Sequence, residues 1–103
     1  MNALAALADP TRRRIVELLA ERERSAGELA AQFRTSRPGV SRHLRVLREQ
    51  GLVRARGEGR RRLYSLEPRP LEELDAWLAH YRAFWTNRLD ALETEIRRQR
   101  RNR

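Results

Sequence analysis

The stretch Ser36–Val53, SRPGVSRHLRVLREQGLV, decides the fold. It predicts one helix with clear signals at both ends: Ser36 can cap the first turn, Pro38 fits within that turn, and Gly51 is a natural stop. A helix over about residues 37–50 is long enough to bury one face and expose the other.

The two faces of this helix have opposite chemistry. At about 100° per residue, Val40, Leu44 and Leu47 share an apolar face that we expect to be buried. His43 lies at the edge of that face, where we expect it to pack rather than to bind a metal. The opposite face is polar, and it consists of Pro38, Ser41, Arg42 and Arg45, with Arg48 at its margin. Arginine can donate two hydrogen bonds to guanine and serine can donate or accept one, so this face suits base edges and phosphates.

A second short helix precedes this one across a polar turn. The sequence Ser25-Ala-Gly-Glu28 is a capping box, in which Ser25 caps the helix and Glu28 reaches back to the backbone. It predicts a helix of about eight residues, followed by a turn over residues 34–36. Two short helices joined in this way indicate a helix-turn-helix.

Two further helices are expected before the capping box. A short apolar segment covers Ala3–Ala8, and Asp9-Pro10 then provides a cap and a first helical residue for a helix over Thr11–Glu21. After the helix over residues 37–50, the runs Leu52–Arg56 and Arg60–Leu66 predict a β-hairpin around a turn at residues 57–59. The hairpin has the position of a wing beside the helix-turn-helix.

The last predicted helix covers about residues 71–99 and is too apolar to remain uncovered. Its apolar stripe is about 140° wide, more than three short helices and a hairpin can bury. We therefore expect this long C-terminal helix to be a dimerisation helix, in a domain over residues 1–99 followed by a basic tail, 100–103. The residues expected at the dimer interface are Leu4, Leu7, Trp77, Tyr81, Phe84, Trp85, Leu89 and Leu92. The overall class is mainly α with a small β-hairpin.

The charge of the chain is concentrated in one block. The formal net charge is +9 over 103 residues, and all 23 basic residues are arginine. Residues 34–62 contain ten arginines and two acidic residues, a net charge of +8, whereas residues 1–33 are neutral. Such a local concentration of charge favours a polyanion as binding partner, either nucleic acid or an anionic membrane surface. A basic surface that served only solubility would not need to be so local.

Several classes of site are excluded or disfavoured by the residues present. The chain has no cysteine, so disulfides, thiolate metal sites and cysteine nucleophiles are absent. Asp75 and His80 are about 140° apart on the last helix and cannot share a metal ion within it. No Gly-rich phosphate loop or catalytic constellation is present, so we expect neither an enzyme nor a bound cofactor. No segment has the features of a signal peptide or a membrane span, so we expect a location in the cytoplasm and no membrane partner.

The sequence resembles the ArsR family of winged helix-turn-helix repressors. The similarity is carried by ALADPTRRRIVELL at residues 6–19, SAGELAAQF at 25–33, SRPGVSRHLRVLREQGLV at 36–53, and RARGEGRRRLYSL at 54–66. The resemblance implies a homodimer formed by the first and last helices, with the recognition helix in the major groove of an operator. It further implies repression that an effector relieves. FWTNRLDALE at residues 84–93 resembles a metal-independent subgroup of the family.

The function predicted from these observations is sequence-specific repression by a homodimer bound to double-stranded DNA at an inverted repeat. The predicted DNA-binding residues are Thr35, Ser36, Arg37, Ser41, Arg42, Arg45, Arg56, Arg60, Arg61 and Arg62. Alternate residues of a strand face opposite sides, so not every wing arginine can face DNA. The aromatic side chains of the last helix admit two interpretations, a pocket for a small-molecule effector or plain interface core, of which we favour the second. The alternative function is an architectural or RNA-binding winged helix without operator specificity.

Overall fold

The computed structural model describes residues 2–34 and 37–102, which form five helices and three strands. In chain order they are α1 (Asn2–Leu7), α2 (Pro10–Glu21), β1 (Arg24–Ser25), α3 (Ala26–Ala30), α4 (Arg37–Glu49), β2 (Val53–Glu58), β3 (Arg61–Leu66) and α5 (Pro68–Arg101). The chain divides after Glu72 into two compact units. The first contains the helix-turn-helix and the hairpin, and the second is the greater part of α5. The expected mainly α winged helix-turn-helix is confirmed.

The core of the first unit is built from the apolar faces that the sequence periodicity predicts. Its most deeply buried side chains are Ile15, Leu29, Val40, Leu44, Leu47 and Leu52. The first helix uses its small residues for this purpose, because Ala3 and Ala6 are buried whereas Leu4 is exposed. Leu7 is half-buried and packs against the core, so only part of its side chain is available for the dimer contact predicted for it.

The helix starts follow the predicted caps. The Asp9 carboxylate accepts from the Arg12 backbone N–H at 3.0 Å, and Pro10 is the first residue of α2. The capping box of Ser25 and Glu28 is present in both directions. Helix α3 nevertheless has only 5 residues rather than about eight. It ends early because the backbone N–H groups of Gln32 and Phe33 donate to carbonyls three residues back, which tightens the chain into turns.

Gly51 ends α4 and directs the chain into β2. Its φ is +74°, and its backbone N–H donates to the Arg48 carbonyl at 3.0 Å. The Leu52 N–H donates to the Leu47 carbonyl at 2.9 Å, which completes a Schellman motif. Leu52 is fully buried, so the same motif anchors the start of the wing to the core.

The hairpin turn lies two residues later than the sequence suggested. Glu58 pairs with Arg61, so Gly57 and Glu58 belong to β2 and the turn is Gly59-Arg60. Gly59 has a φ of +61° and is the first central residue of this two-residue turn, as in type II′ hairpins. The sequence analysis also missed β1, which pairs antiparallel with β3 to give a three-stranded sheet in the order β1-β3-β2.

Helix α5 is longer than expected at both ends. It has 34 residues and continues through Arg101, so Arg100 and Arg101 of the expected tail are helical. Arg98, Arg100 and Arg101 lie in its last turn, where cations complement the helix dipole. Across the described residues, no helix combines the length and the apolar character that a membrane crossing requires.

Two glycines provide a matched test of the α4 stop. We expect Gly51→Ala to lower the free energy of unfolding by roughly 1–2 kcal/mol, because a side chain is strained at positive φ. Gly57→Ala should leave it nearly unchanged, since Gly57 has no positive φ and, like Gly51, has nothing within 4 Å of an added Cβ. Chemical denaturation of both variants measures the difference, and equal losses would contradict the Schellman assignment.

Candidate nucleic-acid interface

The polar face of α4 is exposed as the periodicity predicts. Ser41, Arg42 and Arg45 on this face are exposed, as is Arg37 at the start of the helix, whereas the apolar face of the helix is buried. Within residues 2–34 and 37–102, none of these arginines forms an ion pair with an acidic side chain. Their positive charges are therefore available to an external anion. Thr35 and Ser36, which were expected to contact phosphate, lie outside the described residues.

Arg37 lies against the preceding helix of the motif. Its guanidinium is 3.0 Å from the place that a Cβ on Gly27 would occupy. The absence of a side chain at Gly27 therefore leaves room for Arg37 to lie across α3. The two helices of the motif thus fit together at the N-terminal end of α4, which is the end that helix-turn-helix proteins use for reading bases.

Two of the four predicted wing arginines are paired with acidic residues. Arg56 contacts the Glu23 carboxylate at 2.6 and 3.2 Å and Glu58 at 3.3 Å. Arg61 is 3.9 Å from Glu28, which also pairs with Arg22 at 3.1 Å. These pairs form what we call the wing ion-pair network, made of Arg22, Glu23, Glu28, Arg56, Glu58 and Arg61. Arg56 and Arg61 were predicted as DNA contacts, but their charges are partly compensated within the chain.

The register of the sheet explains why the network forms. Residues directly opposite in antiparallel strands share a face, so Arg56, Leu63 and the Glu58–Arg61 pair lie on one face. Leu63 is only 5% exposed although it is not part of the main core. The short strand β1 pairs with β3, and Glu23 directly precedes β1, which places its carboxylate beside Arg56.

The other two wing arginines have no acidic partner among the described residues. Arg60 occupies the turn, and Arg62 pairs with Gly57 on the face opposite the network. Both are exposed, and neither forms an ion pair within the part of the chain that the structure describes. The uncompensated charge of the wing is therefore at its tip and on one face only.

A polar cluster joins α1, α2 and the recognition helix. Arg12 donates from Nε to the Ala6 carbonyl at 2.7 Å, and its Nη1 lies 3.4 Å from His43 Nδ1. His43 Nδ1 is also 3.9 Å from the Asp9 carboxylate. The pKa of Asp9 is lowered, chiefly because its carboxylate accepts the Arg12 backbone N–H. His43 is thus half-buried as predicted, and it packs beside polar partners that the sequence analysis did not foresee.

Arg24 is a buried cation that the sequence analysis also missed. It is 8% exposed, and its Nε donates to the Leu18 carbonyl at 3.1 Å. Its Nη2 contacts the Glu21 carboxylate at 2.8 Å. Because Leu18 is in the last turn of α2, Arg24 satisfies a carbonyl that the helix end leaves without a partner. Arg24 therefore has a structural role and is not available to DNA.

No cluster of three or more His, Asp or Glu side chains suited to a metal ion occurs within residues 2–34 and 37–102. Asp75 and His80 are both exposed on α5, and Asp75 pairs with Arg82 at 3.4 Å. The aromatic residues of α5 are also exposed, and Trp77 packs edge-on against Tyr81 with ring centroids 5.2 Å apart. These rings lie on one helix face and leave their outer surfaces uncovered.

Comparison of the sequence with known proteins identifies the family. The sequence model of the bacterial regulatory proteins of the arsR family matches residues 9–55, which cover α2 through the first half of β2. The HTH-type transcriptional regulator Rv2034 of Mycobacterium tuberculosis is 48% identical over 88 residues, which are 85% of this chain and 79% of that protein. The chain belongs to the ArsR family. It is accordingly a transcriptional regulator.

Other relatives agree with this membership of the ArsR family. The transcriptional repressor SdpR of Bacillus subtilis is 32% identical over 80 residues, 78% of this chain and 89% of that protein. A crystal structure of a possible transcriptional regulator for arsenical resistance is 44% identical with a TM-score of 0.73, covering 92% of this chain and 96% of that one. The homodimeric winged helix-turn-helix DNA-binding domain of Mb0332 from Mycobacterium bovis is 32% identical with a TM-score of 0.65, covering 76% and 72%.

The wing ion-pair network makes a prediction about Glu23. The hydrogen bond from Arg56, together with the Arg56 charge, holds the pKa of Glu23 below its ordinary value. Because this pKa is lower in the folded chain, the pair stabilises the fold above the ordinary carboxyl pKa, and that contribution disappears as the pH falls through the folded value. We expect Arg56→Gln to raise the pKa of Glu23 in a carboxyl NMR titration.

The control for this titration is Arg54→Gln. Arg54 acts on Glu23 only through its charge, and more weakly than Arg56 does. It should therefore change the pKa of Glu23 less. An unchanged pKa in Arg56→Gln, or equal changes in both variants, would contradict the network.

Proposed function

We propose that this ArsR-family protein binds double-stranded DNA as a homodimer at an inverted-repeat operator and represses transcription there. The observation that carries the proposal is the exposed face of α4, on which Arg42 and Arg45, like Arg37 at the start of the helix, have no acidic partner among the described residues. A relative named as a repressor and a homodimeric structural neighbour support the finer assignment.

The exposed polar face of α4 reads the bases in this proposal. Ser41, Arg42 and Arg45 project from one exposed face, and an arginine can donate two hydrogen bonds to guanine in the major groove. Arg37 lies at the start of the helix, where phosphates are favoured by backbone N–H groups and the dipole. Thr35 and Ser36, directly before α4 in the sequence, are proposed as further phosphate contacts.

The wing holds the DNA backbone or enters the minor groove. Arg60 and Arg62 are proposed as the main contacts, because their charges have no acidic partner in the described part of the chain. Arg56 and Arg61 are proposed as secondary contacts, because DNA must compete with Glu23, Glu28 and Glu58 for their guanidinium groups. An ion pair that must be broken reduces the net gain from a phosphate contact.

The exposed apolar face of α5 forms the dimer interface in this proposal. Trp77, Tyr81, Phe84 and Trp85 are between 39% and 59% exposed, and Leu89 and Leu92 are 62% and 58% exposed. A continuous apolar face of this kind marks an interaction site, because it is costly to leave in water. Leu4 of α1 is 44% exposed and is proposed as a further contact, whereas Leu7 is already packed on the core.

The signal that relieves repression is proposed to be independent of metal binding. The chain contains no cysteine, and its residues 84–93 resemble the metal-independent subgroup. An effector, if it acts at the aromatic residues of α5, would do so by changing how two chains pack. A regulator of this kind meets its DNA in the cytoplasm and needs no catalytic residues.

Selection of bound sequences from random DNA tests the proposed operator. We expect an inverted repeat whose half-site centres are about 34–36 Å apart, because two recognition helices then enter successive major grooves. Binding to the selected site should exceed binding to unrelated duplexes at fixed salt. A ratio below about tenfold, or stronger binding to RNA, would favour the architectural or RNA-binding alternative.

The salt dependence of binding tests the division of the wing arginines. If about 8–10 phosphates are contacted per dimer, the log–log slope of affinity against salt is near −7 to −9. Arg60→Gln or Arg62→Gln should make that slope shallower by about two, one phosphate per chain. Arg56→Gln is the matched control and should change the slope less. A slope shallower than about −3 for the natural sequence would contradict the wing as a backbone contact.

A reporter gene tests repression itself. With the selected operator between promoter and reporter, the natural chain should lower expression, and Arg42→Ala with Arg45→Ala should restore it because the base contacts are lost. Circular dichroism of the double variant verifies that the fold is intact. Increased expression with the natural chain would identify an activator.

A further inference from the structure

A single arginine joins the end of the first helix to the flank of α4. Arg12 lies in the first turn of α2, and its Nε donates to the Ala6 carbonyl of α1 at 2.7 Å. Its Nη1 lies 3.4 Å from His43 Nδ1 on α4. Ala6 is in the last turn of α1, where helix carbonyls lack partners within the helix and a cation is favoured. The Arg12 guanidinium is therefore held at α1 and extends from there to α4.

The chemistry of this contact fixes the position of the proton on the His43 ring. A guanidinium carries only donors, so His43 Nδ1 must accept the Arg12 N–H, and the neutral ring then carries its proton on Nε2. The Asp9 carboxylate lies 3.9 Å from the same Nδ1, which is beyond the distance of a hydrogen bond. Asp9 instead accepts the Arg12 backbone N–H, and it thereby fixes the turn of α2 that carries Arg12.

Apolar packing specifies the rotation of α4 about its axis less sharply than a hydrogen bond can. Val40, Leu44 and Leu47 define the buried side of the helix, but the hydrophobic effect is non-directional. His43 lies about 40° beyond Leu47, and the hydrogen bond that it accepts is directional. A rotation of about 20° moves an atom at the helix surface, about 5–6 Å from the axis, by roughly 2 Å. Such a displacement is enough to break a hydrogen bond to a base edge.

We infer that Arg12 is a positioning residue for DNA reading, which sets the rotation of α4 through His43 from a fixed point at α1. This inference rests on the reading of bases by α4 proposed above, and it adds a residue outside the reading face. His43 directly follows Arg42, so the rotation that His43 fixes also sets the direction of the Arg42 side chain. The helix that carries Leu4, a proposed dimer contact, is linked by the same guanidinium to the reading face.

The ratio of affinity for the selected operator to affinity for an unrelated duplex tests this role. Arg12→Gln should lower the ratio by about tenfold, because base contacts made by a rotated helix are misaligned. Both affinities are measured on the same preparation, so an unfolded fraction lowers them equally and leaves the ratio unchanged. An unchanged ratio overturns the inference. Equal binding of the two duplexes by the natural chain overturns the proposed operator recognition itself.

Arg13→Gln is the matched control for the loss of charge. Arg13 is the next residue of α2, is exposed, and has no acidic partner within residues 2–34 and 37–102. Each variant removes one positive charge, so both should weaken binding to the unrelated duplex to a similar extent. Only Arg12→Gln should change the ratio of the two affinities. An equal fall of the ratio in both variants would assign the effect to charge and overturn the positioning role.

Substitutions of His43 test the contact from its other side. His43→Asn keeps an acceptor, since the Oδ1 of asparagine takes the place of Nδ1, whereas His43→Leu removes it. We expect the ratio to stay close to its natural value in His43→Asn and to fall about tenfold in His43→Leu. Leucine is the better helix former, so a merely structural role predicts the opposite order. That opposite order would overturn the inference.

The tautomer of His43 gives a spectroscopic signature that helix stability does not move. Long-range proton–nitrogen correlation spectra of the neutral ring should show Nδ1 unprotonated and Nε2 protonated in the natural chain. His80 is exposed on α5 and serves as the reference in the same spectrum. In Arg12→Gln the Nδ1 resonance should move, because its donor is lost. A proton on Nδ1 in the natural chain would direct the ring to Asp9 and overturn the role of Arg12.

Discussion

The burial of one face of α4 fixes the position of the residues that we propose to read DNA. Val40, Leu44 and Leu47 are at most 1% exposed, and they pack with α2, α3 and the start of β2 in a single core. Because the helix is amphipathic, burying that face forces Ser41 and Arg42 outward. The reading face is therefore a consequence of core packing. Replacing one of these core leucines with alanine would leave a cavity and weaken the packing that holds this face outward.

The connection from α4 to the wing depends on the same core. Gly51 reverses the backbone, and Leu52 places both its N–H group and its side chain against the end of α4. The wing therefore begins at a fixed angle to the reading helix. Two elements that carry the uncompensated arginines are thus held together by one turn.

The parts of the fold that were predicted correctly depend on local interactions. The caps at Asp9 and Ser25 and the stop at Gly51 involve residues at most five apart, so the sequence carries their signals directly. The parts that were missed depend on contacts that are distant in sequence. The strand β1 exists because Arg24 and Ser25 pair with β3, some 40 residues further on. The turn was misplaced because either Gly57 or Gly59 could begin it. Cross-strand pairing places Gly57 in β2 and leaves Gly59-Arg60 as the turn.

The candidate site shows the same division, with consequences for charge. The basic block over residues 34–62 is visible in the sequence, but its formal charge overstates the positive charge that the wing presents. Glu23 and Glu28 belong to the neutral first third of the chain, yet the fold brings them against Arg56 and Arg61. A sequence count cannot assign these pairs, because Glu23 and Arg56 are separated by 33 positions.

Hydroxyl-radical footprinting of the protein on its selected operator tests the central claim most directly. The account requires two identical reading surfaces related by a two-fold axis, each made of one exposed α4 face and the tip of one wing. It predicts two equivalent protected segments about one helical turn apart on the same side of the duplex. A single protected segment, or uniform protection along the DNA, would contradict it.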